Sequence, residues 1–151
     1  MGESHGADGR RIVVGVDGSV PSKAALAWAV RQAALTGAVV EAVIAWEYPD
    51  TYGLGPALGV DMEGIAATVV SDAITGVAGP GGPVKICPRV VEGHPARVLI
   101  EASAGADLLV VGSRGHGGFA GAVLGSVSQH CIQHATCPVV VVRGTGTGAR
   151  P

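Results

Sequence analysis

The sequence predicts an α/β fold: a doubly wound, five-stranded parallel sheet in the order 3-2-1-4-5, with helices on both faces. Three observations carry this expectation. Short runs of Val, Ile and Leu alternate with longer segments of helical periodicity, the pattern of strands buried on both faces. The alternation reads βαβαβαβαβ, which gives a parallel sheet because right-handed crossovers lay each helix on one face or the other. A proline, Pro88, interrupts the third strand run and assigns it to a sheet edge, where a ladder N–H can be spared.

Each element has its own signal. Residues 1–9 and 144–151 lack periodicity and read as flexible tails around a domain spanning 10–143. Ile12 to Val16 forms the first strand and stops at Asp17-Gly18-Ser19, where Ser19 or Asp17 can cap a helix with Pro21 in its first turn. Ala25, Leu26, Ala29 and Ala33, with Trp28 and Val30, give that helix its apolar face, and Gly37 ends it. Val39 to Trp46 is the second strand, and Glu47 to Gly59 a loop. Asp61 to Val77 is a helix weakened by Gly64, Gly76 and β-branched residues; Met62, Ile65, Val69, Val70, Ala73 and Ile74 recur at its period. Val84 to Val91 is the third strand, and Gly93-His94-Pro95 opens a short helix through Ala104 with Val98, Leu99 and Ala102 inward. Leu108 to Val111, a helix from Gly125 to Ala135 and a last strand from Pro138 to Arg143 complete the chain.

Composition narrows the function. At 151 residues the chain suits one domain, and 48% hydrophobic residues with five aromatics require a core of Val, Ala, Leu and Ile. The net charge is −2 and no basic cluster exceeds Arg10-Arg11, which argues against nucleic acid as a partner. Cys87, Cys131 and Cys137 are odd in number and form no C-x-x-C pair, so they read as buried apolar thiols. No signal-peptide pattern opens the chain and no apolar run is long enough to span a bilayer, so a cytoplasmic protein without membrane contact is expected.

The most informative stretch is Asp107 to Val127. After Leu108–Val111 the chain breaks into Gly112, Gly115, Gly117, Gly118 and Gly121, which permit positive φ and let backbone N–H groups approach an anion closely. From Gly125 and Ser126 the pattern turns helical, so unpaired N–H groups and the positive end of a helix dipole face that loop. Strand, glycine loop and helix start make an anion site. Strand order 3-2-1-4-5 opens a crevice between strands 1 and 4 at their carboxyl ends, into which both this loop and Gly15 to Ser19 empty.

The spacing of Gly112, two residues, Gly115, nine residues (His116 to Leu124) and then Gly125-Ser126 resembles the ATP-binding signature of the universal stress protein family. VVGVDGSVPSKAALAWA from Val13 and the terminal CPVVVVR from Cys137 are similar to that family's first strand and helix and its last strand, so the resemblance spans about Arg11 to Arg143. It implies ATP with Mg²⁺ or Mn²⁺, held by Gly15, Asp17, Gly112, Ser113, Arg114, Gly115, His116, Gly117, Gly118, Gly125, Ser126 and Val127. It also implies a regulator of stress response or growth, and a homodimer through the last strand, Val139 to Val142.

Several of these residues have a plainer reading beside the functional one. Ser126 can be a helix cap, a phosphate ligand or both. Asp17 can cap the first helix or, as the resemblance implies, contact the nucleotide. Gly15 would let the adenosine lie flat on strand 1, and Trp46 would border the base or belong to the core. Arg114 and His116 are exposed loop side chains or neutralise a triphosphate. Ser128 reads as a second capping or helix-facing polar residue outside the site. His130 and His134 share a helix face at metal-ligand spacing, but no third ligand accompanies them, so they read as a solvated pair. No G-x-x-x-x-G-K-[ST] is present, and the single G-x-S-x-G match, Gly2 to Gly6, lies in the N-terminal tail with no strand run before it and so makes no nucleophile elbow; the site is therefore built to hold ATP with turnover slow or absent. The alternatives are a nucleotide-free interaction module of the same fold and a slow ATPase.

Overall fold

The computed structural model describes residues 9–48, 59–79, 81–114 and 124–144. Both tails, most of the loop after the second strand, and Gly115, His116, Gly117, Gly118 and Gly121 therefore fall, wholly or nearly so, outside the described residues. The elements alternate as β1 (Arg11–Gly15), α1 (Val20–Thr36), β2 (Val39–Trp46), α2 (Met62–Ala78), β3 (Ile86–Glu92), α3 (Pro95–Ala102), β4 (Leu108–Gly112), α4 (Ser126–His134) and β5 (Val139–Val142). The sheet is parallel throughout and ordered β3-β2-β1-β4-β5, as the sequence predicts, with Pro88 on the edge strand β3.

Strand side chains alternate between the two faces. Ile12, Val14, Val40, Ala42, Ile44 and Val110 form one core beneath α1 and α2, while Val13, Val43, Leu109 and Val111 form another beneath α3 and α4. This is why β1 and β4 read as unbroken apolar runs: each buries both faces. The winding follows from the same segregation. The first two crossovers carry the chain from β1 out to β3 on one face, and α3 brings it back over the other face to β4 on the far side of β1.

α1 is set by its ends. Ser19 is its N-cap, with Oγ accepting from Ser22 N at 3.3 Å, and Asp17 Oδ1 accepts from Ser19 N at 2.9 Å and from the Ser19 hydroxyl. Of the two candidate caps, Ser19 therefore caps the helix and Asp17 holds the cap. Gly37 ends the helix at φ 82°, its N–H donating to Ala33 O at 2.8 Å. Ser22, Ala25, Leu26, Ala29 and Ala33 are buried, and the small residues among them let the helix lie close on the sheet. In α2 the Asp61 carboxylate accepts from Gly64 N at 2.9 Å, a cap that offsets the weak helix propensity behind it. Ile65 departs from the expected apolar face. It is 54% exposed, while Val70 and Ala73 are buried as expected and Ala66 is buried with them.

The amino end of the sheet is tied together by Arg11. Its guanidinium bonds Glu41 Oε1 at 3.0 Å, Ala102 O at 3.2 Å and Ala104 O at 2.9 Å, satisfying carbonyls at the end of α3. Its backbone N donates to Asp107 Oδ2 at 2.8 Å, and Asp107 N donates to Arg11 O at 2.9 Å. These bonds brace that end, which also carries a hollow of about 300 Å³ lined by Arg10, Arg11, Val39, Glu41 and Lys85. A second crevice opens at the carboxyl end.

Candidate functional site

A crevice of about 290 Å³ lies at the carboxyl ends of β1 and β4, the position where the winding reverses. Val43, Ala45, Pro95 and Leu99 make its β2 side apolar, while Arg114, Ser126 and Ser128 make its β4 side polar, and Asp17 stands between them at the end of β1. Gly15, Gly112, Gly125 and Val127 also line it. Of the expected site residues, the structure thus brings together Gly15, Asp17, Gly112, Arg114, Gly125, Ser126 and Val127.

The polar side is organised by the start of α4. Its N-cap is Gly125, at φ −78° and ψ 169°, and no side chain among the described residues caps the helix there. α1, α2 and α3, by contrast, are capped by the side chains of Ser19, Asp61 and His94. The first turn of α4 therefore turns backbone N–H groups and the positive end of its dipole toward the crevice. An anion is the group such a turn accommodates.

Ser113 does not line the crevice; it is 7% exposed and braces the wall from behind. Its carbonyl accepts from Gly125 N at 2.7 Å and from Ser128 Oγ at 3.1 Å, and its N–H donates to Val142 O at 2.8 Å. Ser128 is the residue that sequence reasoning set aside. It is 2% exposed, lines the crevice and links α4 to the end of β4. Its signal was a hydroxyl three residues past the glycine cap, where helix packing would favour an apolar group.

Two glycines turn out to be small for reasons other than positive φ. Gly112 ends β4, and a Cβ there would lie 2.7 Å from the carbonyl carbon of Pro21, so it admits the first turn of α1 to the sheet. A Cβ at Gly15 would lie 2.6 Å from Leu99 Cδ1, so a side chain of the protein already occupies that space. Of the two readings of Trp46, bordering the base or belonging to the core, the structure matches the core. Strand alternation turns it onto the α1/α2 face, where it packs on that core with its ring 5.4 Å from Tyr48 in an edge-to-face contact.

The remaining candidates lie outside the crevice. His130 and His134 are exposed on α4 with ring centroids 6.0 Å apart, and His130 Nδ1 lies 3.2 Å from Ser126 O. No group of three or more potential ligands gathers among the described residues. Cys131 is buried in the α3/α4 core, and burial, with a smaller contribution from neighbouring Cys137, pushes its thiol pKa up to about 11. It is a packing residue, and its proton stays on at neutral pH.

A sequence model of the universal stress protein family matches residues 9–143. The chain belongs to the universal stress protein family. Among curated members it is 36% identical over 133 residues to a universal stress protein of Mycolicibacterium smegmatis, an alignment covering 87% of this chain and 45% of the relative. The chain thus spans about half the length of the curated relatives it matches. Among solved structures, a universal stress protein in complex with cAMP is 26% identical, with a TM-score of 0.67 over 89% of this chain and 97% of that one. A universal stress protein from Archaeoglobus fulgidus in complex with dAMP is 19% identical, with a TM-score of 0.56 over 88% of this chain and 97% of that one, and shows the shared fold. No helix among the described residues is long and apolar enough to cross a membrane.

Proposed function

We propose that the crevice binds an adenine nucleotide, ATP in its fullest form, and that the protein acts through the bound state as a nucleotide-dependent regulator of stress response or growth. The observation that carries this reading is the start of α4: a helix that no side chain among the described residues caps, opening onto a crevice at the reversal of strand order, with an apolar recess on its far side. The apolar side suits a base, Asp17 a ribose, and Arg114 with the Gly125-Ser126-Val127 turn suits phosphates. Gly115, His116, Gly117 and Gly118 would complete the phosphate contacts, as the family resemblance implies. The cAMP bound by a 26% identical relative supports the base class.

Asp17 is the carboxylate that lines the crevice among the described residues. A Mg²⁺ or Mn²⁺ there would take its other ligands from phosphate oxygens and water, the usual arrangement for such ions on nucleotides. The metal would neutralise phosphate charge. No lysine lines the crevice among the described residues, which accords with holding a nucleotide rather than rapid turnover. Homodimerisation through Val139–Val142 belongs to the same reading, because β5 is an edge strand whose outer side a second copy could pair.

The test is to denature the purified protein and resolve the released nucleotide by anion exchange, beside a Ser126→Asp variant that places a carboxylate at the α4 start. Adenine nucleotide from the wild type, lost in the variant, is the expected result. Equal release from both would remove the α4 turn from the site.

A further inference from the structure

Gly15 and Leu99 meet on the apolar wall of the crevice, and each explains the other. A Cβ built on Gly15 would lie 2.6 Å from Leu99 Cδ1, 3.3 Å from Cδ2 and 3.6 Å from Cγ. Leu99 is 4% exposed and belongs to the close-packed cluster that includes Val13, Val43, Val98 and Val111. It also lines the crevice, as does Gly15. An isobutyl group pressed from the Gly15 side cannot retreat into a core at crystal-like density, so its one open direction is the crevice. A methyl added at Gly15 therefore tips Leu99 toward whatever the crevice holds.

We propose that Leu99 fixes the size of the base-accepting end of the crevice, and that Gly15 is a positioning residue acting on the ligand through Leu99. This rests on the nucleotide reading above and adds the residue that selects among bases. The wild-type recess takes a purine without added bulk. Shortening Leu99 deepens it, and substituting Gly15 makes it shallower.

The experiment titrates ATP, and ATP analogues carrying a benzyl or comparable group at N6, C2 or C8 of the base, into nucleotide-stripped protein. Four forms are compared: wild type, Gly15→Ala, Leu99→Val and the double variant. Gly15→Ala is expected to weaken ATP at least about tenfold, the usual scale for one misplaced carbon in an apolar pocket. The double variant is expected to recover most of that loss, and Leu99→Val to admit at least one bulky analogue that the wild type refuses. In ligand-free protein, the Leu99 δ-methyl NMR signals are expected to shift in Gly15→Ala, a readout that needs no nucleotide. Loss in Gly15→Ala without rescue in the double variant would show that Gly15 meets the ligand directly, overturning the proposal while leaving nucleotide binding intact. Unmoved Leu99 methyl signals would overturn it as well. A wild type that binds no nucleotide would remove the underlying reading and this inference with it.

Discussion

Gly112 shows how a residue can be legible in kind while a second reason for it goes unseen. In sequence it opens a glycine loop, and glycine there suggests close approach to phosphate. In the structure it ends β4, where an added Cβ would stand 2.7 Å from Pro21 C and 2.9 Å from Pro21 O. Backbone cannot swing aside as a leucine can, so Gly112→Ala must displace the first turn of α1. We expect a loss of about 1–3 kcal/mol in urea unfolding, the range for overpacking. The contact was illegible because it joins segments far apart in the chain. Cys131 illustrates the opposite case: all three cysteines read as buried thiols from residue type, and Cys131 is buried, while Cys87 and Cys137 are only half-buried. With its thiol pKa raised to about 11, folded protein should leave Cys131 unlabelled by iodoacetamide at pH 8, while half-buried Cys137 reacts. The sign for stability follows: the contribution is fully present below the ordinary value of 9.0 and is lost as pH rises toward 11. Labelling of Cys131 at pH 8 without unfolding would contradict this.

At the scale of elements, helices were legible where ends and faces agreed. α1 carries a Ser cap, an early proline, a spaced small-residue face and a C-terminal glycine at φ 82°, and its bounds are close to those expected. α2 offered weaker cues, and the apolar face inferred for it included Ile65, which faces solvent at 54% exposure. Several apolar residues on one helix leave the buried stripe ambiguous until the neighbouring helix is known. The brace behind α4 was not legible at all, because Ser113 acts through its backbone and Ser128 through a hydroxyl that resembles a routine cap. Ser128→Ala should remove the bond to Ser113 O, costing about 1 kcal/mol of stability. Loosening the α4 start should also weaken nucleotide affinity in calorimetry. Unchanged affinity would make the brace a matter of stability alone.

At the scale of the whole molecule, topology was readable because alternation, an edge proline and short apolar strands all pointed one way. The location of the crevice followed from topology. What did not follow was the face on which each wall residue lies: Trp46 and Ala45 are adjacent in sequence yet look to opposite sides of the sheet, and only Ala45 lines the crevice. The same topology leaves β5 at an edge with all four valines half-buried. Sedimentation velocity at tens of micromolar should accordingly give the mass of two chains, and a single-chain mass would remove the pairing through β5.

The most direct test of the account is an ¹⁵N NMR titration of nucleotide-stripped protein with ATP and Mg²⁺. The crevice reading predicts saturable shifts largest at Gly15, Asp17, Gly112 and Gly125 to Val127, with the amino end of the sheet around Arg11 and Glu41 unmoved. Saturable shifts centred on that braced end, or none anywhere, would contradict it.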